Sequence, residues 1–380
     1  MATKPSKTKK PAKPKLAPAP DLSSIRAHID GIDLKIQTLI QERAQFARQV
    51  GAAKGPLKAA VEYYRPEREA QVLRRVVDRN AGPLADDVLV RLFREVMSAC
   101  LAQQEPLRVG YLGPEGTFSQ QAVHKHFGHS ARGLPLSTIE EVFEEVEAGN
   151  ADFGVVPVEN SSEGVVTRSL DLFLTTPLTI IGETSLYVRH NVLRKVDSLD
   201  GIAAVCAHPQ ALAQCHAWLS HHLPNAERRP VASNAEGARL AGLDPALAAL
   251  ASERAASEYG LFIVAPAVQD DAHNRTRFAI VAHPGQHPPP KASGHDCTSL
   301  VVSVANRPGA VHDMLQPLKA HGVSMTRFES RPARSGQWEY YFYVDLDGHP
   351  DQPNVSLALK ELHDACAFFK LLGTYPVDSH

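Results

Sequence analysis

The chain has 380 residues, 43% of them apolar and 22% charged, with a formal net charge of −2. That length suffices for two or three domains with real cores, and the near-balance of charge excludes a large polyanion as an obvious partner. Five scattered cysteines without a CxxC fit a reduced compartment, and with no membrane-length apolar run or signal-peptide core the sequence reads as cytoplasmic.

Residues 1–20, MATKPSKTKKPAKPKLAPAP, hold little that could be buried, so a solvated, disordered basic leader is expected. The lysines leave a nucleic-acid tail as the alternative.

Residues 21–105 read as all-helical. Leu22, Ile25, Ile29, Ile32, Ile36, Leu39 and Ile40 recur at three- and four-residue steps up to Gly55-Pro56. A second helix spans 66–80, with proline in its first turn, and a third runs from about Asp86 to Gln104. One long helix and two short ones do not easily enclose a core, so an intertwined dimer is expected. Arg43 lies on the apolar stripe of the first helix, Lys54 shares that face, and Arg26 is offset by roughly a quarter turn. Gln104 continues the stripe of the third helix. One such residue would simply reach solvent. Three cations and an amide aimed at one core favour a buried anionic ligand, because unpaired buried charge is costly. No nucleophile, metal-ligand set or phosphate loop accompanies them. A reaction needing only positioning fits, since orientation can supply ~7–11 kcal/mol.

Residues 106–285 alternate strand and helix, an α/β pattern expected to form two lobes around a cleft. Ser137 and Glu140 read as a capping box. Four strand ends are polar. LGPEGTFSQQA (112–122) is open between a tight turn and an anion-binding helix start. PVENSSEG (157–164) offers a carboxyl, an amide and hydroxyls. AHPQALAQC (207–215) places His208, Gln210 and Gln214 near a helix start, and NRTRF (274–278) brings Thr276 and Arg277 into a last strand. Ligands gather outside the carboxyl ends of open α/β sheets, so four such ends predict a ligand cleft. The histidine and cysteine spacings match no zinc pattern, and no GxSxG elbow marks a serine hydrolase.

HPGQHPPPKASGHD (283–296) is a linker by composition, placed at 286–296. Residues 297–380 give the order βαββαβ of a ferredoxin-like domain.

GPEGTFSQQA, PVENSSEG, HPQALAQC and NRTRF, in this order, resemble the prephenate dehydratase domain. NRPGA (306–310) and ESRP (329–332) resemble the phenylalanine-binding motifs of its ACT regulatory domain, and the leading helices resemble the all-helical class of chorismate mutase. Together, residues 21–380 resemble the bifunctional chorismate mutase–prephenate dehydratase family. The resemblance implies conversion of chorismate to phenylpyruvate through prephenate, with no cofactor or metal. It also implies phenylalanine as feedback effector and a homodimer or tetramer.

By the same resemblance, Arg26 and Arg43 bind the carboxylates of chorismate, Arg26 reaching across to the partner subunit. Lys54 and Gln104 hydrogen-bond the ether oxygen, and Glu67 holds the substrate hydroxyl. Some relatives carry an acidic residue and an arginine where this chain has Tyr63 and Pro66, with Arg65 as a substitute. In the dehydratase the key threonine matches Thr276. A threonine hydroxyl is a very weak acid, so Thr276 is assigned a hydrogen bond to the leaving oxygen. Glu159, kept neutral by an apolar cleft, is the expected acid. Asn160, Ser161, Thr117 and Ser119 orient the substrate, and Arg277 faces a carboxylate. Ala207 stands where many relatives have serine, with Gln210 or Gln214 to compensate. Asn306, Gly309, Ala310, Glu329 and Ser330 bind phenylalanine. Three rivals remain: a solute-binding protein, a dehydratase with a relic mutase segment, and an enzyme acting on arogenate.

Overall fold

The computed structural model describes residues 21–53, 64–333 and 340–377, so the leader, Lys54 and Tyr63 lie outside the described residues. Two units are distinguished, residues 1–46 and 47–380. The described part of the first is helical and belongs to α1 (Leu22–Ala53), 32 residues long. Its isoleucines recur on one face, as an amphipathic helix requires, yet none is buried: Ile32 is 53% and Leu39 63% exposed.

In the second unit, α2 (Pro66–Asp78) and α3 (Asp86–Leu101) pair, with Arg94 Nε donating to Glu69 Oε1 at 3.2 Å. Arg94 also donates to the Lys125 carbonyl, and Tyr64 is buried beside Phe127 and Phe153. These contacts fasten the helical hairpin to the α/β part of the chain.

The first α/β lobe comprises β1 (Arg108–Leu112), α4 (Phe118–Phe127), β2 (Arg132–Leu136), α5 (Ile139–Glu147), β3 (Phe153–Asn160), β4 (Gly164–Val165), α6 (Thr167–Thr175) and β5 (Thr179–Tyr187). The chain then crosses into a second lobe. Its elements are β6 (Asn191–Arg194), β7 (Ala204–Ala207), α7 (Pro209–Gln214), α8 (His216–His222), β8 (Glu227–Pro230), α9 (Asn234–Leu243), β9 (Leu247–Ala251), α10 (Glu253–Tyr259) and β10 (Phe262–Ala265). These strands form a separate five-stranded sheet in the order β10-β6-β9-β7-β8. The chain returns through β11 (Arg275–Ala282), which pairs antiparallel with both β3 and β5. Two crossings between sheets leave a cleft beside residues 188–190. The capping box falls one residue later than the sequence suggested. Thr138, not Ser137, caps α5 by accepting from the Glu141 N–H, and Glu141 accepts from the Ser137 N–H. Two adjacent hydroxyl residues made the register ambiguous.

The C-terminal part follows the expected βαββαβ order: β12 (Asp296–Ser303), α11 (Ala310–Ala320), β13 (Met325–Pro332), β14 (Tyr340–Asp347), α12 (Pro353–Ala365) and β15 (Phe368–Pro376). Its sheet joins the first lobe's, in the order β13-β14-β12-β15-β5-β11-β3-β1-β2. The junction is a single parallel pairing of Gly373 with Ile180. A Cβ at Gly373 would lie 2.0 Å from the Ile180 carbonyl oxygen, so only glycine permits this approach. Tyr343, Leu372 and Tyr375 share one core with Val142, Phe173 and Val281 of the lobe. The segment read as a linker is pinned rather than loose. Arg74 donates to the Ser293 carbonyl, and the Asp296 carboxylate accepts from the Ser293 and Gly294 N–H groups.

Candidate active site and effector region

A cavity of about 780 Å³ opens between the two lobes, lined by residues of all four polar strand ends, Asn160 and Thr276 among them. Asn160 and Thr276 are partners across the β3–β11 ladder. Asn160 Nδ2 donates to Thr276 Oγ1 and to Asn274 Oδ1, both at 2.9 Å, while its Oδ1 accepts from the Ser162 and Glu163 N–H groups. With all its hydrogen-bonding groups used and only 8% exposure, this amide is fixed. Since Thr276 Oγ1 accepts from Asn160, the threonine proton is free to be donated into the cleft.

The GPEGTFSQQA loop supplies the start of α4. Thr117 accepts from the Gln120 N–H and donates to the Leu112 carbonyl, so its hydroxyl is spent on shaping the turn. Gly116, at φ +84°, packs against Ala255 and gives its N–H to Gln120 Oε1 at 2.7 Å. Ser119 is buried and lines the cleft. Gln210 and Gln214 of α7 line it as well, but Ala207 does not. Ser161 is used elsewhere: its hydroxyl accepts from the Arg275 N–H, stapling β4's approach to β11.

Glu159 and Arg277 were expected in the cleft, and the structure places both outside it. Successive side chains on a strand point to opposite faces, so the neighbours of Asn160 and Thr276 project toward the C-terminal domain. Glu159 Oε2 lies 3.2 Å from Arg327 Nε and 3.8 Å from Arg277 Nε. Arg277 also meets Glu183 at 3.3 Å and Asp345 at 3.0 Å. The Glu159 carboxylate is thus paired with two guanidiniums, away from the residues that line the cleft. Burial opposes the charge on Arg277, but Glu183 and Asp345 outweigh it and raise its pKa. Burial raises the Glu183 carboxyl, with Arg277 pulling it back.

Of the residues assigned to the mutase, Arg26 and Arg43 lie on the first unit's stretch of α1. Glu67 sits in the acidic first turn of α2, two residues after the exposed Arg65 at its N-cap. Gln104 follows α3, and its Oε1 is buried without a hydrogen-bond partner among the described residues. In the C-terminal domain, Asn306 lies in the bend before α11. Gly309 caps that helix at φ +79°, and Ala310 is its buried first residue. Glu329 and Ser330 lie on β13, the outermost strand of the sheet.

The sequence reading missed His190 and Asn274. His190 is 2% exposed and lines the cleft at the crossing from β5 to β6. No strand end marked it, since β5 is polar in its second half and ends at Tyr187, three residues earlier.

Comparison with known proteins agrees with this layout. The chain matches the chorismate mutase type II family over residues 25–105, the prephenate dehydratase family over 109–286 and the ACT domain over 298–364. A bifunctional chorismate mutase/prephenate dehydratase of Neisseria gonorrhoeae is 51% identical, over 92% of this chain and 96% of that one. Among solved structures, the prephenate dehydratase of Arthrobacter aurescens in complex with L-Phe is 34% identical with a TM-score of 0.65, covering 71% of this chain and 90% of that one. GqqA, described as a novel type of quorum quenching acylase, is 29% identical with a TM-score of 0.65, covering 72% of this chain and 98% of that one.

Proposed function

The chain belongs to the bifunctional chorismate mutase/prephenate dehydratase family, and from that membership we propose a two-step route to phenylpyruvate under control by phenylalanine. In the first step chorismate rearranges to prephenate by an intramolecular [3,3] shift. Arg26, Arg43 and Arg65 bind and orient the substrate, Lys54 and Gln104 hydrogen-bond the ether oxygen, and Glu67 holds the hydroxyl. The exposed apolar face of α1 supports a second copy packing against it. Each subunit then lends Arg26 to its partner.

In the second step the electrons of the C–CO₂⁻ bond enter the ring as carbon dioxide leaves, and the ring C–O bond breaks with its electron pair going to oxygen. One proton turns the departing hydroxide into water. Thr276 hydrogen-bonds that oxygen, a contribution of the kind worth ~2.7–4 kcal/mol. Ser119, Gln210 and Gln214 contact the rest of the substrate. The observation that carries this reading is the Asn160 amide holding Thr276 as a donor at the floor of the cleft.

Phenylalanine is the effector, bound at Asn306, Gly309, Ala310, Glu329 and Ser330 where two ACT domains meet. The ion-pair network from Arg327 and Asp345 to Glu159 and Arg277 supports this, because it ties that domain to the two strands bearing Asn160 and Thr276. No described helix is long and apolar enough to cross a membrane, and we place the enzyme in the cytoplasm. The test is direct: purified protein should convert prephenate to phenylpyruvate, and Thr276→Ala should abolish most of that rate. A wild-type protein inert toward prephenate would refute the dehydratase assignment.

A further inference from the structure

Prephenate carries two carboxylates, and its dehydration consumes a proton, so the cleft needs a positive charge and an acid. Among the described side chains lining the cleft, none belongs to aspartate, glutamate, lysine or arginine; His190 and His208 are its titratable groups. His208 is exposed, and its Nδ1 already accepts from the Gln210 N–H as the cap of α7. His190 is buried and held on all sides. Its backbone N–H donates to Gln269 Oε1, its carbonyl accepts from the Val268 N–H, and Phe118 meets its ring edge-on at 5.6 Å.

The hydrogen bonds around His190 also fix its tautomer. Nε2 lies 3.0 Å from Gln214 Oε1, while Gln214 Nε2 points toward Glu163 Oε1 at 3.5 Å. With its nitrogen toward a carboxylate, the Gln214 amide presents oxygen to the ring, so His190 Nε2 is the donor. Nδ1 is left over, buried and without a hydrogen-bond partner among the described residues.

We propose that His190 is a catalytic residue of the dehydratase, carrying on Nδ1 the proton that the departing ring hydroxyl takes. The inference rests on the dehydratase reading. Burial holds the imidazole below its usual pKa, with the Gln214 hydrogen bond offsetting part of the effect. The ionisable groups around it are Glu163, reached through Gln214, Asp270, whose N–H binds the Gln214 carbonyl, and His208 of the same cleft. A bound dianion favours the imidazolium, which supplies the missing positive charge. As the C–O bond breaks, Nδ1–H is transferred to the oxygen and water departs. The neutral imidazole then regains a proton from solvent. Thr276 hydrogen-bonds the same oxygen without giving up its proton.

The test compares pH profiles for prephenate turnover in wild type, His190→Gln and His190→Asn, with non-enzymatic breakdown subtracted. His190→Gln keeps an amide N–H for Gln214 but cannot titrate, which separates proton transfer from mere positioning. An acid works only when protonated, so activity must fall as pH rises. Wild-type kcat/KM should fall tenfold per pH unit above a pKa below the ordinary value of about 6.5. The fall in kcat should come at higher pH, because the bound dianion raises the pKa. His190→Gln should lose about 10²–10⁴-fold in kcat and lose the pH dependence. A folded His190→Gln enzyme within about threefold of wild type, with the same profile, would overturn the proposal. So would wild-type profiles that are flat from about pH 5 to 9, which decides the matter even if both variants misfold. If wild type makes no phenylpyruvate at any pH, the dehydratase reading itself fails, and this inference with it.

Discussion

The side-chain nitrogen of Asn160 lies 2.9 Å from the hydroxyl of Thr276 and equally far from Asn274 Oδ1. That three-residue arrangement occupies one lone pair of the Thr276 hydroxyl and leaves its proton to be donated. Thr276→Ala should therefore lower kcat on prephenate by about 10²–10³-fold, with a small change in KM and no loss of thermal stability. Thr276→Ser should recover much of the rate. Asn160→Ala should lose activity too and also unfold more readily, because Asn274 is left buried without its donor. Steady-state kinetics and thermal melts on the three variants check this.

Glu159→Gln tests the face assignment of β3. An essential acid would cost about 10²–10⁴-fold when replaced. A residue paired with Arg327 and Arg277 behind the sheet should cost less than about tenfold in kcat. Its main effect should be a weaker response to phenylalanine, read as a shift in the inhibition curve.

These two neighbours show where sequence reasoning reached its limit. The strand through PVEN and the strand through TRF were legible from their apolar runs, as were their polar ends and their common destination in one cleft. What the letters do not state is which member of Glu159-Asn160 and Thr276-Arg277 faces that cleft. The answer depends on a domain remote in the chain, because Asp345 and Arg327 of the ACT part draw Glu159 and Arg277 to the other face. Ser161 and Thr117 were recognised as belonging to the site's loops, but their hydroxyls are taken up by local hydrogen bonds. The pinning of residues 286–296 was invisible for a similar reason: composition reports that a segment has little to bury, not that Arg74 holds its carbonyl.

Gly373 is a point of close backbone approach in the seam between the dehydratase lobe and the ACT domain. Because the obstacle to a side chain is the Ile180 backbone, no rotamer change relieves it. Gly373→Ala should destabilise the chain by more than about 4 kcal/mol. Denaturant unfolding of the variant checks this, and a loss under about 1 kcal/mol would mean that the seam opens easily.

The apolar face of α1 predicts self-association. With Ile32 and Leu39 both exposed in the single chain, the pair Ile32→Glu and Leu39→Glu should convert a dimer to a monomer in light scattering. Mutase activity should fall by at least about 10²-fold, because it depends on positioning, while prephenate turnover persists. A monomeric wild type would contradict this role for the helix.

The most direct test of two activities in one regulated chain supplies chorismate alone to the purified protein and follows prephenate and phenylpyruvate separately, with and without phenylalanine. Both products should form in sequence, and phenylalanine should suppress phenylpyruvate. The suppression should disappear when Gly309→Ala is combined with Glu329→Ala. Untouched chorismate alongside rapid use of added prephenate would contradict the claim of two activities in one chain.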